Sequence, residues 1–293
     1  MNKYVIYTVV VGNYNKILQP IVKDERFDYV LFSNDFNKKK IGVWNIRSIP
    51  PILLNDNKRL SRYPKTHPEE LLSEYEYSLY IDANIQIKDS WIYERCLELV
   101  NLDVEYAGVK LVLTGCDCIY AHTLDMCSLH VEHDYKAIIQ CHNLYKEGFP
   151  QHYGLNENNI IFRKNTPIMQ QVDEEWWNWI INHSFRDQFS YMFCLWKYKI
   201  PIFYIFPEGE DSHNSSHFIF VPHNTNPDVA KKKFMRKTFA EKLRLFLFTI
   251  DKPLGRYFWE RAYKSKYPIL SLYKFSTILF FINIKYLVQR LFK

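Results

Sequence analysis

Two patterns of apolar and polar positions alternate along most of the chain. Continuous apolar, β-branched runs, typical of strands buried on both faces of a sheet, occur at 4–11, 29–33, 44–49, 77–81, 106–113, 159–163 and 202–206. Apolar residues at helical spacing predict helices at 16–23, 91–100, 134–146, 167–183 and 186–197, and a basic stretch with helix formers covers 57–72. The alternation predicts an α/β fold that begins with a βαβ unit.

The pattern changes in the last part of the chain, which is basic, aromatic and helical from Lys231 onward. We therefore expect a globular domain over 1–225 and a helical tail over 226–293. The apolar stretch 269–292 is interrupted by Lys274, Asn283, Lys285 and Arg290. Charges near the centre of a spanning helix are costly, so an amphipathic segment lying in a membrane interface fits better. The alternative is an extra helical subdomain packed on the body or on a partner.

Charge divides along the same boundary. Residues 231–293 hold 16 Lys and Arg against three acidic residues, a local charge of +13, which leaves −7 for residues 1–230 out of the total of +6. A basic tail on an acidic body is not the uniform basic face of a nucleic-acid-binding module. It favours a tail that meets an anionic membrane surface, and we expect a peripheral protein on the inner, cytoplasmic face of the cell membrane.

Composition narrows the class of protein further. With 47% hydrophobic and 24% charged residues, the chain suits one large or two modest globular domains and excludes disorder. No glycine-rich GxGxxG or GxxxxGK[ST] loop occurs. The six cysteines have no repeated spacing and no export signal precedes the first strand, so we expect reduced thiols in the cytoplasm.

The first candidate site follows the strand predicted at 77–81. Asp82 and Asn84 would project oxygen ligands from the carboxyl edge of the sheet, where open α/β sheets bind ligands. Hard cations such as Mn²⁺ or Mg²⁺ take such ligands together with substrate phosphates, and a late histidine, His213, would complete the shell. The alternative is an Asx turn that caps the strand.

Cations lie just upstream of this pair. Arg62 and Lys65 suit a pyrophosphate, because guanidinium and ammonium groups bind its oxygens. The alternative is the solvated basic face of a helix.

Two later polar stations suit a sugar and its acceptor. The first holds His152 and the run Glu157, Asn158 and Asn159, which offers hydrogen bonds of both polarities, although a plain polar turn has the same composition. In the second, Asp187 would act as a general base or position a sugar hydroxyl. The alternative is that Asp187 caps the following helix.

Four ordered motifs resemble one family over roughly residues 4–205. They are "YEYSLYIDANIQI", "DCIY", "YKEGFPQHYGLNENNIIFRKN" and "WWNWIINHSFRDQFSY", and they resemble the domain-of-unknown-function 616 family of glycosyltransferases, found in bacterial polysaccharide clusters and in plants. The resemblance implies a GT-A-like fold, a Rossmann-type mixed α/β sheet flanked by helices that binds a nucleotide sugar.

The resemblance also implies roles for individual residues. The loops that would hold the nucleoside contain Val11, Gly12, Asn13, Tyr14 and Asp35. Arg62 and Lys65 match the family's basic residues, and Asp82-Ala-Asn84 stands at its DxD-like metal position, with Asn84 replacing the second Asp. The sugar and acceptor motifs contain Glu157, Asn158, Asn159, Arg186, Asp187 and Gln188.

Together these observations predict a glycosyltransferase of the hexosyltransferase type, with Asp82 and Asp187 as its catalytic residues. It would move a sugar from a nucleotide-sugar donor to a glycan or lipid-linked oligosaccharide acceptor in capsule, O-antigen or exopolysaccharide biosynthesis. The alternative is a catalytically inert, membrane-peripheral subunit of a polysaccharide synthase complex that binds glycan or nucleotide. Nucleic acid is not an expected partner.

Overall fold

The protein is described from a computed structural model that covers residues 3–12, 16–52, 55–112, 115–129, 131–221 and 237–291, with side chains as far as Lys285. Two compact units are present. The first comprises the described residues up to Gly115 and from Leu155 to 221, and the second comprises Cys116–Gly154 and the described residues from Lys237 onward.

An eight-stranded sheet forms the centre of the first unit. Its strands are β1 (Tyr4–Val9), β2 (Phe27–Phe32), β3 (Lys40–Ile41), β4 (Trp44–Arg47), β5 (Tyr77–Ile81), β7 (Tyr106–Gly108), β8 (Ile160–Lys164) and β9 (Phe203–Tyr204), in the order β3-β4-β2-β1-β5-β8-β7-β9. Strands β4, β2, β1 and β5 run parallel, whereas β8 pairs antiparallel with both β5 and β7. A small antiparallel sheet joins β6 (Ile85–Ile87) to β10 (Phe218–Phe220).

Helices of the first unit lie between these strands. They are α1 (Asn57–Leu60), α2 (Tyr63–Thr66), α3 (Pro68–Leu71), α4 (Trp91–Asn101), α7 (Pro167–Asn182) and α8 (Tyr191–Lys197), with a 3₁₀ turn at Asp187–Phe189. The basic stretch 57–72 is three short helices rather than one, because Pro64 and Pro68 lie in the first turn of α2 and α3, where proline is tolerated, and cannot continue a preceding helix. The prediction of an α/β fold with a mixed sheet flanked by helices is confirmed.

The helix predicted at 16–23 is wrong. This segment has no regular structure, and its backbone groups bond to other elements instead of to each other. The indole of Trp44 donates to the carbonyl of Leu18 at 2.8 Å, and the amide of Ile21 donates to the carbonyl of Ile87 at 2.9 Å. Pro20 in the middle of the segment has no amide hydrogen to give a helix.

The second unit is helical. It consists of α5 (Ile119–Ser128), α6 (Asp134–Lys146), α9 (Phe239–Ile250), α10 (Lys252–Tyr263) and α11 (Pro268–Leu291). The sequence predicts residues 116–154 as part of the domain over 1–225. They belong to this second unit instead, because they contact the C-terminal helices. The guanidinium of Arg244 contacts the Asp134 carboxylate at 2.9 Å, and the His142 ring lies 2.7 Å from the carbonyl of Tyr263. The C-terminal helices therefore share a core with the α5–α6 pair.

Two further observations concern the membrane and the state of the cysteine thiols. None of the helices described here is long and apolar enough to cross a membrane. All six cysteines are free, and only Cys116 is more than marginally accessible to solvent.

Candidate active site

Two of the predicted stations meet at one edge of the central sheet. Strand β8 runs antiparallel to β5, with Ile160 opposite Ile81, so the residues that precede β8 lie beside those that follow β5. The amide of Asp82 donates to the carbonyl of Asn159 at 2.8 Å. Strand pairing thus brings together two polar segments that are about 75 residues apart in sequence.

A buried ion pair forms the centre of the site. Lys65, on α2, places its ammonium Nζ 2.5 Å from Oδ2 of Asp187 and 3.9 Å from Oδ1 of Asp82. The Lys65 side chain is 1% exposed and also lies 4.6 Å from the centroid of the Tyr80 ring. A buried ammonium needs such partners, because desolvation without them would be costly.

Asp187 is held as a carboxylate. Burial acts to raise its pKa, but the charges of Lys65 and Arg62 outweigh burial and lower the pKa to about 2. Arg62 Nε lies 3.4 Å from Oδ2, and the amide of Gln188 donates to Oδ1 at 3.0 Å. The indole of Trp176 donates to the backbone carbonyl of Asp187 at 3.0 Å, which fixes the turn that presents the carboxylate.

Asp82 differs from Asp187 in its exposure. Its side chain is 36% exposed, so one face of the carboxylate is open to a ligand. Oδ1 accepts a hydrogen bond of 2.6 Å from the hydroxyl of Tyr80. Burial, together with the charge of Asp82, raises the pKa of Tyr80 well above its ordinary value, so the phenol stays protonated as a donor.

Glu157 anchors a second, adjoining cluster. Its Oε2 accepts from Nδ2 of Asn159 at 2.7 Å and from Oγ of Ser212 at 3.1 Å, and lies 3.1 Å from Nε2 of His213. Burial raises the pKa of Glu157, and the His213 ring opposes that rise. His213 is partly exposed and stacks on Phe220 at 4.1 Å, so its ring forms part of the accessible wall of the cluster.

Gln188 joins the two clusters. Its amide bonds to Asp187, and its side-chain Nε2 donates to the carbonyl of Glu157 at 3.2 Å. Arg186 donates to Oε1 of Gln188 at 3.3 Å. One continuous polar network therefore joins Asp82, Lys65, Asp187, Gln188, Glu157 and His213. Asn158, held at a φ of 54°, is buried between Glu157 and Asn159.

The loops predicted to hold the nucleoside follow β1 and β2. Both strands are parallel to β5, so these loops lie at the same edge as Asp82. Gly12 has a φ of 71°, and a Cβ there would come within 2.7 Å of Nδ2 of Asn57, at the start of α1. Asp35 follows β2, where its amide bonds to Oγ of Ser33 at 3.1 Å. Asn13 and Tyr14 lie outside the described residues.

A cleft lies beside Asp82 at this edge. It is enclosed by the ends of β1 and β5 and by the irregular segment after β1. Its lining includes Val10, Leu18, Trp44, Asp82 and Ala83. The space among these side chains is small, about 20 Å³, and mainly apolar with a carboxylate at one side.

One predicted residue is placed elsewhere. His152 belongs to the second unit, where its ring lies 2.7 Å from the carboxylate of Asp117. Val11 lies two residues beyond the end of β1, at the same edge of the sheet as Asp82.

The sequence predicts Asp82, Asn84 and His213 as ligands of a divalent cation. Of the expected ligands, His213 is engaged by Glu157, and Oδ1 of Asp82 has Tyr80 and Lys65 as neighbours. Over the described part of the chain, no three His, Cys, Asp or Glu side chains come together as ligands. His223, another late histidine, lies outside the described residues.

Sequence reasoning missed two members of the network, Tyr80 and Ser212. Tyr80 is on β5, two residues before Asp82 at the end of that strand, and the two-residue period of a strand is a signal that would have found it. Ser212 contacts Asn159 and Glu157 only because a distant loop folds over them, and no sequence signal marks that contact.

Comparison with known proteins gives weak likenesses only. No protein-family model matches the chain, and no curated protein matches it. Among solved structures, it is similar to the bifunctional glycosyltransferase WbbM in its apo form, with 11% identity and a TM-score of 0.40 over 69% of this chain and 38% of that one. It is also similar to the galactosyltransferase LgtC in complex with donor and acceptor sugar analogues, with 10% identity and a TM-score of 0.36 over 68% and 72% of the two chains.

A third similar structure is the mannosyltransferase Ktr4p from S. cerevisiae, with 11% identity and a TM-score of 0.35 over 66% of this chain and 62% of that one. The chain thus spans much less than two thirds of WbbM. All three TM-scores lie below 0.5, so these likenesses do not define the function of this chain.

Proposed function

We propose that this protein is a glycosyltransferase that moves a hexosyl group from a nucleotide-sugar donor to a glycan or lipid-linked oligosaccharide acceptor. The observation that carries the proposal is the ion pair of Lys65 with Asp187 beside the exposed carboxylate of Asp82, at the carboxyl edge of a mostly parallel sheet. Such an edge is where α/β sheets bind nucleotides, and Asp82, Glu157 and Asp187, from three of the motifs that resemble the family 616 glycosyltransferases, lie there.

Charge at the site suits a departing nucleoside diphosphate. Arg62 is partly exposed and lies beside the fully buried Lys65, so its guanidinium is the cation that a diphosphate would contact. Guanidinium groups bind phosphate oxygens through paired hydrogen bonds. A preorganised cation that meets charge developing on the leaving group lowers the barrier to transfer.

Asp187 acts in this proposal by positioning the sugar. A carboxylate whose pKa is lowered to about 2 is a weak base at neutral pH, because proton transfer is most efficient when the pKa lies near the working pH. An ionised carboxylate next to an ammonium is a good acceptor for a sugar hydroxyl. Of the two roles that the sequence left open for Asp187, the structure therefore favours the positioning role.

The Glu157 cluster supplies the other half of the reaction. Its amide, hydroxyl and imidazole groups offer donors and acceptors together, as recognition of sugar hydroxyls requires. Glu157, whose pKa is raised by burial, is closer to the neutral range than Asp187 and is better suited to accept a proton from an acceptor hydroxyl. The acceptor would then lie beside His213.

The biological setting belongs to the same proposal. We assign the protein to the assembly of a surface polysaccharide, such as a capsule, O-antigen or exopolysaccharide, at the inner face of the cell membrane. Lipid-linked acceptors are presented there, and the basic tail supports that location.

One observation favours a second function, that of an inert glycan- or nucleotide-binding subunit. The Asp82-Ala-Asn84 position has one carboxylate, and the described residues do not assemble a cation shell around it. A binding subunit would hold the donor without cleaving it.

A donor panel distinguishes these functions. Purified protein is first screened by thermal shift with nucleotide sugars of different bases, because a ligand that binds the native form raises the melting temperature. The stabilising donor is then incubated without acceptor in Mn²⁺, in Mg²⁺ and in EDTA, and release of nucleoside diphosphate is followed. Release by the wild type, lost in Asp187→Asn, supports the transferase. Stabilisation without release under any of these conditions supports the binding subunit.

A further inference from the structure

We propose that the second unit binds the surface of an anionic lipid bilayer through outward-facing apolar stripes on α9 and α11, which we call the tail surface. On α9 the stripe consists of Phe239, Leu243, Phe246 and Ile250. These residues are spaced by four, three and four positions, so they share one face of the helix. Phe239 is 82% exposed, although an isolated globular unit would normally bury such a residue.

The opposite face of α9 is buried inside the second unit. Glu241, Leu245 and Phe248 are buried on that side, and Phe248 contacts Trp259 edge to face at 5.8 Å. The helix therefore has two apolar faces, of which one packs inside the unit and the other points outward.

Helix α11 repeats this arrangement. Leu272, Ser276 and Leu279 are buried, while an outward stripe holds Leu270, Tyr273, Phe280, Phe281 and Ile284. Phe281 is 64% exposed. The two helices pack together within the unit, and the guanidinium of Arg244 on α9 lies 4.5 Å from the centre of the Tyr273 ring on α11.

The positive charge around the stripes indicates that the tail surface binds an anionic surface. Exposed lysines flank the stripes, Lys242 on α9 and Lys274 and Lys285 on α11. They belong to the stretch 231–293, whose net charge is +13. Lysine is depleted at protein–protein interfaces, whereas an apolar and aromatic face bordered by lysines is the pattern of helices that lie in a membrane interface. No described helix is apolar and long enough to span, so the tail surface would lie on the bilayer.

This inference is independent of the proposed chemistry. None of the residues from Asp82 to His213 that form the polar network belongs to the second unit. Loss of transfer and loss of membrane binding are therefore separable, and each is measured without the other.

Flotation of the full chain with liposomes tests the inference. The vesicles contain phosphatidylcholine alone or phosphatidylcholine with 30% phosphatidylglycerol, and the partition coefficient is measured at low and high salt. We expect binding to the anionic vesicles only, weakened by salt, because exposed charges are screened. Phe246→Ser and Phe281→Ser should each lower the partition coefficient by about tenfold, since each removes an aromatic side chain from the bilayer interface. Leu102→Ser, at an equally exposed apolar residue of the first unit, is the control and should leave the partition coefficient unchanged.

A charge series completes the test. Reversal of Lys242 and Lys274 to Glu should lower binding by at least about tenfold, because each basic residue near an anionic leaflet contributes about 1 kcal/mol. Reversal of the exposed Lys38 and Lys39 is the matched control. The inference is overturned if the wild type does not float with anionic vesicles, or if Phe246→Ser and Phe281→Ser float as the wild type does. It is also overturned if those two variants convert a dimer into a monomer without any vesicle binding, since the stripes would then be an interface between copies.

Discussion

Two buried ion pairs lie close together in the first unit, and only one of them is open to a ligand. Arg163 on β8 pairs with Asp173 on α7, and both side chains are almost completely enclosed. Lys65 pairs with Asp187 in similar burial, but its neighbours Asp82 and Arg62 are 36% and 29% exposed. The Arg163 guanidinium also bonds the hydroxyl of Tyr7 and, at 2.8 Å, the backbone carbonyl of Lys65.

The carboxyl groups of the two pairs also differ in pKa. Burial and the neighbouring Glu69 carboxyl raise the pKa of Asp173 well above its ordinary value, whereas two cations hold the pKa of Asp187 at about 2. A carboxylate that stays ionised and has an excess of positive charge around it is suited to bind the polar groups of a substrate. The enclosed pair, with an excess of carboxyl groups, serves the packing of α7 on the sheet. Similar residue types thus form a structural ion pair, Arg163 with Asp173, and a candidate catalytic ion pair, Lys65 with Asp187, in the same unit.

The largest effect is expected from Asp187→Asn. The amide keeps the size of the side chain but removes the charge that orients Lys65 and accepts a sugar hydroxyl. We expect kcat/KM for transfer to fall by about 10²–10³-fold, the range for loss of a group that positions the reacting substrate. The measurement is initial rate with the donor found by thermal shift, and a circular dichroism spectrum confirms the fold. Turnover within a factor of three of the wild type would remove Asp187 from the proposed mechanism.

Arg163→Met breaks the enclosed pair instead. The variant leaves the Asp173 carboxyl, the Tyr7 hydroxyl and the Lys65 carbonyl without their buried partner, so the free energy of unfolding should drop by about 3 kcal/mol, since each unsatisfied buried group costs about 1–3 kcal/mol. Urea denaturation measures this drop. If Arg163→Met is as stable as the wild type, the distinction between a structural pair and a candidate catalytic pair fails.

The pH dependence of stability provides a smaller effect. The folded-state pKa of Asp187 is about 2, below the unfolded value of about 3.9, so its stabilisation is complete above pH 4 and is lost as pH falls through 2. We expect the difference in unfolding free energy between the wild type and Asp187→Asn to shrink by about 2 kcal/mol from pH 6 to pH 2. Chemical denaturation at stepped pH measures it. A difference that stays constant over this range would show that Asp187 has no lowered pKa.

The smallest effect comes from two matched tyrosines. Tyr80 donates to Asp82 and Tyr7 contacts Arg163, and both rings are buried against each other at 5.3 Å. Tyr80→Phe should lower kcat/KM by about tenfold with little change in stability, whereas Tyr7→Phe should cost about 1–2 kcal/mol of stability and leave kcat/KM unchanged. If Tyr7→Phe instead lowered kcat/KM and Tyr80→Phe instead lowered stability, the roles of the two ion pairs would be reversed.

Sequence patterns predicted the class of fold and most of the strands, because buried parallel strands have a strong apolar signature. They also predicted roles in binding or catalysis for Asp82, Glu157 and Asp187, and the structure brings these three residues to one edge of the sheet. They failed for 16–23, where contacts to Trp44 and Ile87 override the helical spacing. They also failed for 116–154, since only the folded chain shows that Asp134 pairs with Arg244.

The arrangement of the site was beyond sequence reasoning. Lys65 and Asp187 are separated by 122 residues, and neither position specifies the other. Pairing of β8 with β5 places Asn159 beside Asp82. The family resemblance supplied the list of residues, but the network that joins them is a property of the fold.

The hydrogen bond from Arg163 to the carbonyl of Lys65 ties the short helix α2 to strand β8, although the two residues are 98 positions apart in sequence. Strand β8 in turn reaches β5 only by closing a loop of roughly 80 residues, and contacts of such long range slow folding. A substitution that loosened β8 would therefore disturb the position of the lysine as well as the sheet.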